Sequence, residues 1–130
     1  MTKEQDDYLK NWLYRANEDI AVIDNLFKTD PEFYASTICF HAQQAVEKYL
    51  KAFLVHHNID FPRTHDLDFL LLECKKVHAK DFDVDLHSLS DFGVNIRYPD
   101  DFYVPDHDEI ILYREIAHSI KNIIDKKISS

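Results

Sequence analysis

The chain has 130 residues, 45% hydrophobic and 13% aromatic, enough for one domain whose core should bury about two thirds of the unfolded surface. Its formal charge of −9 argues against a general nucleic-acid binder, which would carry a basic footprint, yet leaves room for a small local nucleotide or RNA site. A single glycine, Gly93, and the lack of a run alternating with period two argue against a β protein.

The polar start, Met1 to Asp7, does not read as a signal peptide, and no apolar run approaches the ~18–20 residues of a membrane span. Cys39 and Cys74 have no second cysteine at metal or redox spacing, which fits a reduced compartment. The expectation is a soluble, cytoplasmic protein, one domain over 1–130, with no cofactor, no metal site and no membrane or general DNA binding.

Leu9, Trp12, Leu13, Ala16, Ile20, Ile23 and Phe27 recur at helical spacing and predict a first helix from about Glu4 to Phe27. Lys28-Thr29-Asp30-Pro31 ends it and opens the next, since Asp caps a helix and Pro suits its first turn. That second helix continues to about His57 and is the centre of the pattern. Ala35, Ile38, Cys39, Ala42, Ala45, Val46, Tyr49, Leu50 and Phe53 share one apolar face. His41, Gln44, Lys48 and Lys51 form a stripe on the far side, beside Glu47, and Phe33 and Phe40 also fall there.

Asn58 to Arg63 reads as a connection, and a third helix starting near Thr64 to Asp66 carries Leu67, Leu70, Leu71 and Cys74. A shorter fourth helix is predicted over about Val84 to Val94, followed by a loop from Asn95 to Pro105. Asp106 with Glu109 has the spacing of a capping box, and Ile110, Tyr113, Ala117, Ile120 and Ile124 mark the last helix. The predicted fold is all-α: an antiparallel four-helix up-and-down bundle with an additional short helix.

Four segments resemble the HEPN domain, a small helical bundle named for its occurrence in higher eukaryotes and prokaryotes and for nucleotide binding. They are Trp12-x-x-x-Ala16-x-x-Asp19-Ile20, the run from Phe40 to Ala52, Thr64-His65-Asp66-Leu67 and Asn95-Ile96-Arg97-Tyr98-Pro99, the second being the specific match. The resemblance implies a homodimer, often paired with a minimal nucleotidyltransferase in a toxin–antitoxin or nucleotide-transfer system. Many members are metal-independent ribonucleases carrying an Arg followed, after four to six residues, by a His. Here the positions so spaced from Arg97 hold Phe102, Tyr103 and Val104, and His107 follows Arg97 only after nine intervening residues. The expectation is therefore a nucleotide- or RNA-associated binding subunit. The alternatives are a ribonuclease using Arg97 with His107 or Tyr103, and a structural dimerisation module without catalysis.

Arg97 offers a rigid donor fork for phosphate, or else an ion pair to Asp100 or Asp101. His107 can move a proton or simply sit exposed in a first turn, and Tyr98 and Tyr103 can stack on a base or cap the core. His41, Gln44, Lys48 and Lys51 can form a wall for a ligand or a solvated face with an ordinary Glu47–Lys51 pair. Phe33 and Phe40 are candidate interface residues.

Overall fold

The computed structural model describes residues 1–92 and 103–128, and every regular element among them is helical. In chain order these are α1 (Lys3–Thr29), α2 (Ala35–His56), α3 (Leu67–Lys75), a 3-10 turn (Leu89–Phe92) and α4 (His107–Ile128). The all-α bundle expected from the sequence is the fold observed.

Thr2 starts α1 with a reciprocal capping box, its Oγ1 accepting from Gln5 N at 3.1 Å while Gln5 Oε1 accepts from Thr2 N at 2.9 Å. Asp30 serves both sides of the α1–α2 junction. Its N–H donates to Leu26 O at the end of α1, and its Oδ1 accepts from Phe33 N at 3.2 Å. The predicted cap therefore opens a turn over 31–34, and α2 proper begins at Ala35.

α2 packs against α1, α3, α4 and the 3-10 turn. Every residue of its predicted apolar face is buried, and Ala16 of α1 is fully buried with Ala42 and Ala45 of α2. Short side chains there let the two helices approach closely, while Ile38, Leu50 and Phe53 fill the remaining space. Each large side chain so buried contributes about 1.5–3 kcal/mol. α1 and α2 run antiparallel, with Gln5 reaching Asn58, Trp12 under Lys51, and Asn17 meeting Tyr49.

The end of α2 reverses the chain through Asn58, whose φ of 57° is left-handed. Ile59 N donates to Leu54 O at 2.9 Å and Asn58 N to Val55 O at 3.0 Å, a Schellman arrangement with Asn in the position usually held by Gly. Residues 57–66 then run back over α1 and α2 to Asp66, which caps α3 by accepting from Phe69 N at 3.2 Å. Cys74 Sγ donates to Leu50 O, seating α3 on α2.

The predicted helix from Val84 to Val94 is not observed; among its described residues only the 3-10 turn Leu89–Phe92 is helical. His87 adopts a φ of 51° and its N–H donates to Asp85 Oδ1 at 2.8 Å. Short polar side chains in this stretch hold the backbone locally and compete with a helical ladder. α4 opens on the predicted capping box, with Glu109 N donating to Asp106 Oδ1 and Asp106 N to Glu109 Oε1. Asp24 ties α1 to α4, accepting from Arg114 Nε at 3.1 Å and lying 2.8 Å from His118 Nε2.

Candidate functional site

The polar side of α2 does not face open water. α1 and the returning segment 57–66 cover it, and two carboxylates organise the groups beneath.

Asp19 of α1 is buried, and its two oxygens meet Lys48 Nζ at 2.6 Å and His41 Nδ1 at 2.8 Å. His41 and Lys48 are seven residues apart, two turns of one helix, so a single carboxylate reaches both. Next to them the Tyr49 hydroxyl donates to Asn17 Oδ1, and burial raises the Tyr49 pKa well above the usual phenol range.

Glu47 forms the second centre. Its Oε1 accepts from Gln43 Nε2 at 3.3 Å and lies 2.9 Å from His65 Nδ1; its Oε2 accepts from Lys51 Nζ at 3.1 Å. The Glu47 and Lys51 side chains are only 5% and 7% exposed, so this is no ordinary surface pair. Removing both charges from water is costly, and the Gln43 and His65 bonds help satisfy the remaining lone pairs. Gln44 joins the network sideways, donating to Gln43 Oε1 at 2.7 Å.

Beside Glu47 opens a cleft of about 630 Å³. Tyr8 and Trp12 of α1 form one wall, Glu47 and Lys51 the floor, and Phe61 to His65 the other wall. Lys51 Nζ lies 5.4 Å from the Trp12 ring centre and 5.8 Å from that of Phe61, within cation–π range of both. Trp12 Nε1 is buried with no acceptor among the described residues.

The start of α4 gathers a different set. The Tyr103 hydroxyl donates to Glu109, and that bond pushes the Tyr103 pKa up to about 12. His107 Nδ1 lies 2.7 Å from Glu32 Oε1, linking α4 to the turn before α2. Tyr103 and Glu109 also line an opening shared with Ser88, Asp91, Phe92 and Tyr113.

Of the residues singled out from the sequence, His41 and Lys48 come together on Asp19 and Lys51 sits on Glu47, with Gln44 bridging toward the second centre through Gln43. His107 and Tyr103 sit at the start of α4. Phe33 is 75% exposed and stacks edge-on against Tyr34; Phe40 is half-buried, edge-on to His41. Arg97 and Tyr98 lie outside the described residues.

Sequence reasoning did not single out Asp19 as a site residue, although an acid three residues after Ala16 and four before Ile23 falls on the apolar face and is a readable anomaly. Phe61 and Arg63 carried no such signal, because they lie in an irregular connection with no periodicity to place them, and His65 was legible only as part of the Thr64-His65-Asp66-Leu67 segment. Burial pushes the Cys39 and Cys74 thiols up to about 12, so neither is an activated nucleophile. Among the described residues no three His, Cys, Asp or Glu side chains come together to hold a metal ion, and no described helix is long and apolar enough to cross a membrane.

A helical bundle whose central helix carries an ion-paired polar side defines the chain as a small all-α domain. More narrowly, it belongs to the HEPN domain family, whose model matches residues 9–127 and so spans all four helices. That membership ties it in general terms to nucleotide- or RNA-related function. No curated protein and no solved structure matches the chain.

Proposed function

We propose that this HEPN protein is a nucleotide- or RNA-associated binding subunit of the cytoplasm, homodimeric and working with a minimal nucleotidyltransferase in a toxin–antitoxin-like pair. The observation that carries the reading is the row of basic groups on α2 held in fixed positions by buried carboxylates: His41 and Lys48 by Asp19, and Lys51 by Glu47. Groups ordered in advance meet the polar atoms of a ligand without a further loss of side-chain freedom. The same carboxylates also keep the row from acting as a broad basic track for a long strand.

The position of Tyr103 and His107, the one just before α4 and the other its first residue, each held by a glutamate, favours a second reading as a metal-independent ribonuclease. In that reaction Arg97 would grip the phosphate and His107 would move a proton to or from a ribose hydroxyl. Incubating the pure protein with RNA in a chelator separates the two readings. Retention of RNA or nucleotide without cleavage is the expected result. Cleavage that disappears in Arg97→Ala would reverse the ranking.

A further inference from the structure

We propose that the cleft between α1, α2 and residues 57–66 binds a single nucleotide, its base against Trp12 and Phe61 and its phosphate at Arg63 and His65. This rests on the nucleotide-associated reading above and goes further by fixing the place and size of the ligand.

The walls have the right chemistry for a base. Trp12, Tyr8 and Phe61 present aromatic surface to one cavity. Stacking on such rings is strong and tolerant of base identity, because every base has a π face. The floor supplies polarity where a base edge needs it. Lys51 Nζ lies near both the Trp12 and Phe61 rings, and among the described residues it donates a hydrogen bond to Glu47 alone. Its other two N–H groups are open to a base carbonyl or ring nitrogen.

The rim suits a phosphate. Arg63 is exposed and brings a planar fork of donors to the cleft mouth. His65 is oriented from behind, Nδ1 toward Glu47, which leaves Nε2 for an incoming oxygen. Both residues belong to the segment that Asn58 turns back across α1, so one backbone reversal positions aromatic wall and basic rim together.

Size selects one nucleotide over a strand. About 630 Å³ falls within the ~300–1,000 Å³ of small-molecule sites. A chain carrying −9 repels a long polyanion along most of its surface, whereas a single phosphate monoester brings only about two negative charges.

Trp12 is the only tryptophan, so its fluorescence reports this cleft and no other part of the chain. The full-length protein would be titrated with AMP, adenosine and a short single-stranded RNA, with equilibrium dialysis of the same probes in parallel. We expect saturable quenching by AMP, with adenosine binding about tenfold more weakly, and Arg63→Ala weakening AMP to the level of adenosine, as loss of one charge-assisted bond implies. Arg63 is exposed, so the variant should keep its fold; Phe61→Leu, which removes a stacking face while keeping bulk, should independently weaken both AMP and adenosine. AMP retained in dialysis with Trp12 unchanged would place the ligand elsewhere, overturning this inference while leaving the nucleotide reading intact. RNA binding more than tenfold tighter than AMP at equal salt would overturn the single-nucleotide assignment. Retention of none of the three probes in dialysis would overturn both this inference and the nucleotide reading.

Discussion

On α1, Asp19 immediately precedes Ile20 and lies four residues before Ile23, so the period that buries the isoleucines buries a carboxylate with them. Such a group is tolerable only if paired, and α2 supplies Lys48 at 2.6 Å and His41 at 2.8 Å. Replacing Asp19 by Ala leaves Lys48, 17% exposed, without its counter-charge. Breaking a mostly buried pair in this way should destabilise the fold by about 3 kcal/mol, read as a lower urea midpoint at unchanged slope. Adding Lys48→Met to Asp19→Ala should recover part of the loss, because the orphaned charge goes with it. A shift under about 0.5 kcal/mol for Asp19→Ala alone would mean that water reaches Lys48 freely and that the pair does not lock the helices. The helical wheel placed His41, Lys48 and Lys51 on one side, and the i,i+4 spacing gave the Glu47–Lys51 pair, but the pairing of His41 and Lys48 with Asp19 needed the α1–α2 register, and the burial of Glu47 and Lys51 needed the path of His65, neither of which a local pattern holds.

At the scale of elements, the helices were legible and the irregular segments were not. The apolar period of α2 is buried position by position as read, and Asp106 and Asp66 cap α4 and α3. The stretch 84–92 was misread because a few apolar residues at helical spacing outweighed its Asp and Ser side chains, which in the folded chain bind backbone N–H groups: Asp85 holds His87 and Ser90 holds Leu67. Residues 58–63 were recognised as a connection, but their path back over α1 depends on Asn58 adopting a left-handed φ. That conformation costs an alanine roughly 1 kcal/mol, is easier for Asn and is free for Gly. Asn58→Ala should therefore destabilise by about 1 kcal/mol and Asn58→Gly by much less, compared by thermal or urea unfolding. Equal losses in both variants would show that the Asn58 side chain, which accepts from Gln5 Nε2 at 3.4 Å, matters more than its backbone.

For the whole molecule, charge and exposed aromatic surface pull in opposite directions. A net charge of −9 makes two copies repel, yet Phe33, in the turn before α2, stands 75% exposed, and Phe40 on α2 is only half covered. Exposed rings of this size, set at the end of a central helix, gain most by burial against another copy, and contact through them must overcome the repulsion of the acidic remainder. That balance gives the proposed homodimer a particular salt dependence. Raising ionic strength from about 0.05 to 0.5 M shortens the screening length to a few ångströms, so it weakens repulsion between the copies and should tighten the dimer. An interface built on ion pairs would loosen instead. Light scattering on the eluting protein should give twice 15.4 kDa, with the dimer persisting to lower concentration at high salt. Phe33→Asp removes the apolar contact and adds one negative charge to each copy, so it should leave monomers at every salt concentration with the helical content unchanged. A wild-type monomer throughout would remove the dimer from the proposed function while leaving the Trp12 cleft, which lies wholly within one chain, untouched.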